Sequence, residues 1–67
     1  MEELIEHITG IINKIKINCI VNNEEKYITF TTSKIKLNKL KKELEKISNK
    51  KYILRSLDNK HTINFVV

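Results

Sequence analysis

The chain alternates between two hydrophobic periods. From residue 2 to residue 13, apolar side chains recur at spacings of three and four, which is the period of one helical face. From 14 to 22 and again from 26 to 32, apolar side chains occupy every second position, which is the period of a β-strand. The polar run Asn22-Asn23-Glu24-Glu25 separates these two segments and predicts a turn. The first half therefore reads as helix–strand–strand.

The second half repeats this order. Its helical stripe is Leu37, Leu40, Leu44 and Ile47. Two residues could cap this helix, Asn38 or, one turn earlier, Ser33. A start at Ser33 would put Ile35 on the side opposite the leucines. We therefore favour a helix over 38–49 with an extended segment over 34–37.

Two strands, over 51–57 and 60–67, follow this helix, and Asp58-Asn59 between them is a good two-residue hairpin turn. This turn pairs Leu54 with Ile63 and Tyr52 with Phe65. A two-residue turn at Asn23-Glu24 in the first half would pair Cys19 with Ile28 and Ile17 with Phe30. Both registers put apolar side chains on a shared face, and this agreement supports them.

The repeat predicts an α+β fold, a two-layer αββαββ sandwich in a single domain over 1–67. Its two αββ pseudo-repeats cover about 1–33 and 34–67. Both helices should cover the same face of one four-stranded sheet, because each hairpin has one clearly apolar face. Right-handed crossovers make strands 2 and 4 the central pair, which gives the spatial order 3-4-2-1. This element order resembles a circularly permuted ferredoxin-like fold.

The sheet face away from the helices is the first candidate binding surface. It is semi-apolar, which a small monomer would rarely leave open. In position it resembles the RNA-binding face of an RNA-recognition motif, which stacks bases on aromatic rings, but here only Tyr27 is aromatic. We expect a partner or a second copy to dock on it. Strand 1 would contribute Lys16, Asn18 and Ile20, and the candidate contact residues are Ile20, Tyr27, Ile53, Arg55, Leu57, Asn64 and Val66.

The lysines are the second candidate surface. Residues 1–33 carry a net charge of −2 and residues 34–67 a net charge of +7. Lysines step along the second helix opposite its leucines, and such a stripe could neutralise phosphates. The alternative function is therefore non-specific RNA or DNA binding through Lys16, Lys39, Lys42, Lys46, Lys50, Lys51 and Arg55. A solvated helix face is the competing explanation.

The amino-acid composition of the chain is skewed. Twelve Ile, twelve Lys and eight Asn, with no Ala or Pro, indicate an AT-rich genome. Codon bias could therefore account for part of the lysine excess. Such a chain would suit a phage- or virus-encoded inhibitor or a small subunit of a complex.

Few residues in the sequence could support catalysis or bind a metal ion. The only cysteine, Cys19, alternates with core positions and reads as a small buried hydrophobe. Cys19, His7 and His61 cannot supply the four ligands of a structural zinc. We therefore expect no enzyme activity, cofactor, metal or membrane span, and a cytoplasmic location. Because 67 residues form only a small core, we also expect a homodimer.

Overall fold

The computed structural model describes residues 2–66 and has the predicted order of elements. These are α1 (Glu2–Lys14), β1 (Cys19–Asn22), β2 (Tyr27–Thr31), α2 (Lys34–Glu45), β3 (Tyr52–Leu57) and β4 (Lys60–Phe65). The four strands form one sheet in the order β1-β2-β4-β3, and all neighbouring strands are antiparallel. The predicted α+β sandwich and strand order are confirmed, and the order is consistent with a ferredoxin-like arrangement.

The core lies between the helices and the inward face of the two central strands. The side chains of Ile28 and Ile63, which occupy equivalent positions in the two repeats, face each other across β2 and β4. Both are completely buried, and among residues 2–66 the same holds for the large side chains of Ile8 and Ile12 from α1 and Leu40 from α2. The pair of central strands, β2 and β4, therefore contributes the centre of the core.

Helix α1 matches its prediction closely. Glu2 and Glu3 lie in its first turn, where they favour the positive end of the helix dipole. Gly10 is exposed, and a Cβ added there would have no neighbour within 4 Å. No neighbouring backbone packs closely against Gly10, so this glycine has no packing role and is only tolerated in the helix.

Helix α2 begins one turn earlier than we predicted. Its N-cap is Ser33, whose side-chain oxygen accepts a hydrogen bond from the backbone N–H of Lys36 at 3.3 Å. The predicted cap at Asn38 and the extended segment over 34–37 are wrong. The N-cap hydrogen bond and an additional helical turn offset the exposure of Ile35. Helix α2 also ends earlier, at Glu45, so residues 46–49 lie outside it.

The first hairpin differs from the prediction in strand length and register. β1 begins at Cys19 rather than at residue 14, because Lys16 adopts a left-handed conformation with φ of 66°. Its turn spans four residues, 23–26, so that Val21 faces Ile28 and Cys19 faces Phe30. The predicted pairing is therefore displaced by two residues. Such a shift leaves every side chain on its predicted face, because the strand period is two.

The second hairpin matches its predicted register. Leu54 faces Ile63 and Tyr52 faces Phe65, as the Asp58-Asn59 turn requires. Asp58 has a φ of 54°, a left-handed conformation that aspartate tolerates better than most residues. Strand β4 ends at Phe65; the last residue of the predicted strand, 67, lies outside the described residues.

Candidate docking surfaces

The face of the sheet away from the helices is called the open face below. Its side chains form rows that run across the strands, and each row consists of residues that are paired with one another. One row runs Ile20, Thr29, Thr62, Arg55 across the four strands, and the next runs Asn22, Tyr27, Asn64, Ile53. A third row joins Thr31, Lys60 and Leu57. The seven predicted contact residues all belong to this face.

Exposed hydrophobic side chains concentrate on the open face. The exposed fractions are 69% for Ile20, 46% for Ile53, 78% for Leu57 and 47% for Val66. Ile35 on α2, 71% exposed, is the remaining large hydrophobic side chain of this kind among residues 2–66. Such a distribution is not the random scatter expected of single surface hydrophobes.

The apolar residues flank a polar centre. Ile20 lies on the edge strand β1, and Ile53 and Leu57 lie on the other edge strand, β3, about 14 Å away across three strand spacings. Threonines and Asn64 occupy the central strands between them. Val66 follows β4, and its backbone N–H donates to the carbonyl of Lys51 at 3.0 Å, which keeps it beside β3. The larger apolar group therefore lies along β3.

Strand β3 is also a free edge of the sheet. Because Lys51 and Val66 form a hydrogen-bonded pair, the backbone groups of Ile53, Arg55 and Leu57 point toward β4. The backbone groups of the alternate residues Tyr52, Leu54 and Ser56 point away from the sheet. β3 therefore offers apolar side chains, the Arg55 guanidinium and unpaired backbone groups at one margin.

Tyr27 is the aromatic residue of the open face, and it is partly buried. Its hydroxyl oxygen accepts a hydrogen bond from Asn22 Nδ2 at 3.4 Å across the first hairpin. Thr29, two residues further along β2, donates its hydroxyl to the carbonyl of His61 at 3.2 Å. These bonds fix polar groups at the middle of the face, and a single ring gives little surface for base stacking.

The structure separates the seven predicted nucleic-acid contacts. Lys39, Lys42 and Lys46 lie along α2 and at its end, whereas Arg55 lies on the open face on the other side of the sheet. Lys16 lies in the turn after α1, not on the open face as we predicted, and its carbonyl accepts from Lys36 Nζ at 3.1 Å. Lys51 precedes β3.

Lys50 does not extend the lysine stripe along the helix. The helix has ended by this point, and Lys50 Nζ donates to the carbonyls of Leu44 at 3.2 Å and Glu45 at 2.9 Å. It therefore satisfies carbonyls at the C-terminal end of α2. The Tyr52 hydroxyl donates to the same Leu44 carbonyl at 2.9 Å.

A groove between α1 and α2 was not predicted from the sequence. It is open to solvent, has a volume of about 440 Å³ and is lined by Ile11, Lys14, Ile15, Lys39, Lys42, Glu43 and Lys46. In the sequence, its one indication is that the apolar stripe of α1 includes Ile11 and Ile15, which are less deeply buried than the rest of the stripe. Their relation to the lysines of α2 depends on how the two helices pack.

The reactive side chains of the chain occupy structural positions. His61 is buried, shares a 2.6 Å hydrogen bond between Nδ1 and Ser56 Oγ, and packs against the ring of Phe30. Burial raises the pKa of the Cys19 thiol, which lowers the fraction of the reactive thiolate at neutral pH. Within residues 2–66, no three His, Cys, Asp or Glu side chains come together as metal ligands.

No helix in the described part of the chain is long and apolar enough to span a bilayer. Comparison with known protein families found no match. Comparison with curated proteins and with solved structures likewise found no match. We therefore infer the function from the open face and from the groove between α1 and α2 with its lysines.

Proposed function

We propose that this protein is a non-catalytic docking module that binds a second copy of itself or another protein through its open face. The supporting observation is that four of the five exposed large hydrophobic side chains lie on that one face. An inhibitor or a small subunit of a complex needs only such a face.

Strand β3 would carry most of the binding energy. Fully burying a side chain such as Leu57 contributes about 1.5–3 kcal/mol. Arg55 lies between Ile53 and Leu57 on the same face, and arginine is enriched among the residues that dominate interface energetics. The polar centre would supply hydrogen bonds rather than hydrophobic area.

A second copy is the first occupant to test, because the domain is small. A domain of about 60 residues buries only about 60% of the surface of its unfolded chain, so self-association adds apolar burial that the fold lacks. A docking face that pairs with itself also removes the exposed hydrophobic residues from water.

Leu57→Glu is expected to abolish docking without unfolding the protein, because Leu57 is 78% exposed. By light scattering, the mass of the unmodified protein should rise with concentration toward that of a dimer, and the variant should remain monomeric. Asn38→Glu is the matched control, since it places the same charge on an exposed residue of α2 that lies on neither the open face nor the groove between the helices. In affinity capture, Leu57→Glu should lose a bound partner that Asn38→Glu retains. Equal masses and equal capture for all three proteins would contradict the proposal.

Non-specific nucleic-acid binding is the second candidate function. The observation in its favour is that Lys14 joins Lys39, Lys42 and Lys46 around one groove. Fluorescence anisotropy with single- and double-stranded oligonucleotides at about 50 mM salt tests this idea, because phosphate contacts are strong under that condition. Absence of binding there would exclude it.

A further inference from the structure

We infer that the groove between α1 and α2 is a second docking site, and that its occupant is an acidic amphipathic helix of a partner protein. This site lies in the helix layer, on the opposite side of the sheet from the open face. It does not depend on the function proposed for that face.

The groove combines an apolar floor with a cationic rim. Ile11 and Ile15 lie one helical turn apart at the end of α1, and both are only partly buried against the core. Around them lie four lysines, which are Lys14 from α1, Lys39 and Lys42 from α2, and Lys46 directly after α2. Glu43 is the one carboxylate of the lining, so the groove carries three positive charges in excess.

Glu43 shows how a carboxylate behaves in this groove. Its Oε2 atom lies 2.9 Å from Lys46 Nζ, and this hydrogen-bonded pair lowers the pKa of Glu43, with a smaller contribution from the charge of Lys14 on the other helix. Lysines of both helices therefore favour an ionised carboxylate between them. Lys39 and Lys42 form no ion pair within residues 2–66 and remain available to carboxylates of an occupant.

Ile35 extends the apolar part of this site. It precedes Lys39 by four residues and Lys42 by seven, so it lies on the same face of α2, one turn closer to its N-terminus. The side chain of Ile35 is 71% exposed and contributes neither to the core nor to the open face. A helix lying along the groove could place one apolar side chain on Ile11 and Ile15 and another near Ile35, with carboxylates against the lysines.

The alternative occupants use only part of the site. A nucleic acid would engage the lysines, but its phosphates gain nothing from an isoleucine floor, and no aromatic or arginine side chain lines the groove for stacking. An apolar stripe flanked by like charges instead matches helix-in-groove recognition, in which apolar residues of the ligand recur at helical spacing.

A synthetic peptide titration with the full chain tests the inference. The probe is a fluorescein-labelled helical peptide with leucines on one face and glutamates elsewhere. A scrambled peptide of the same composition has the same charge but no apolar face. We expect the scrambled peptide to bind at least about tenfold more weakly, a difference equivalent to about 1.4 kcal/mol.

Charge-reversal variants locate the site. Lys39→Glu with Lys42→Glu should weaken binding of the amphipathic peptide at least about tenfold. Lys34→Glu with Lys41→Glu is the matched control, since both lysines are exposed on α2 but neither lines the groove. The control should bind like the unmodified protein, and Ile35→Ser should bind several-fold more weakly. Equal losses in the two double variants would overturn the inference.

NMR of the unmodified protein with the peptide tests the inference without requiring that any variant folds. In ¹³C-methyl NMR, the peptide should shift the methyl signals of Ile11, Ile15 and Ile35. Shifts confined to Ile20 and Ile53 would overturn the inference and would place the peptide on the open face. Equal binding by the scrambled peptide, or displacement of the peptide by an oligonucleotide of equal charge, would also overturn it and indicate a general polyanion site.

Discussion

Replacing Ile63 by alanine is expected to cost about 2–5 kcal/mol of the free energy of unfolding. Ile63 has no exposed area and lies between Ile28 on β2 and Leu54 on β3 in the sheet register. A chain of 67 residues is stable by only about 3–10 kcal/mol. The substitution should therefore remove a large share of the folding stability, which urea denaturation followed by circular dichroism will measure as a lower midpoint.

Ile53→Ala is the matched control for this experiment. It removes the same atoms from the neighbouring strand, but its side chain is 46% exposed and points to the open face. At low protein concentration, where self-association contributes little, we expect it to cost less than half as much as Ile63→Ala. Equal losses at the two positions would show that the two faces of the sheet are not buried as described.

Separating the repeats is expected to abolish cooperative folding altogether. Residues 1–33 alone would keep α1 and one hairpin, and residues 34–67 alone would keep α2 and the other. Each would lose the β2–β4 pairing at the centre of the sheet and the partner of its fully buried isoleucine. A two-stranded hairpin is marginal in water, and chains below about 40 residues rarely fold without disulfides or metals.

Two synthetic peptides covering these halves provide the test. Each alone should lack a cooperative thermal transition in circular dichroism, whereas an equimolar mixture should regain helix and melt at a temperature that rises with concentration. A half that melts cooperatively by itself would contradict the shared core.

The two hairpins show how far the sequence specifies register. Asp58-Asn59 is a recognisable two-residue turn, and the register that it predicts is confirmed for β3 and β4. The first turn contains four polar residues, and Asn22 Oδ1 accepts a hydrogen bond from the backbone N–H of Glu25 at 2.8 Å, which closes a longer turn. Alternation predicted which residues face the core, but it could not distinguish registers that differ by two residues.

Helix α2 shows the limit of hydrophobic patterning. Excluding Ile35 from the helix followed from the assumption that a large apolar side chain avoids water. The Ser33 cap and the extra helical turn outweighed that exposure. The positions of Lys39 and Lys42 on α2, and of Lys46 directly after it, were predictable from helical spacing. The groove that they border was not, because its floor comes from α1.

The open face, by contrast, was predictable from the sequence. Residues that alternate with the core positions of β2, β3 and β4 must point away from the helices, and this places Tyr27, Ile53, Arg55, Leu57, Asn64 and Val66 there. Lys16 was misplaced because the chain leaves α1 through a left-handed turn before β1 begins. What binds to this face does not follow from alternation.

The most direct test of the open face as a docking surface is a dilution series followed by methyl NMR of the twelve isoleucines. These probes cover the open face (Ile20, Ile53), the core (Ile8, Ile12, Ile28, Ile63), the groove (Ile11, Ile15) and the α2 residue that we infer extends the groove (Ile35). We predict that between micromolar and millimolar concentration the signals of Ile20 and Ile53 shift, while the core, groove and α2 signals stay fixed. Signals that are unchanged throughout, or that change at Ile11, Ile15 or Ile35 instead, would contradict self-docking through this face.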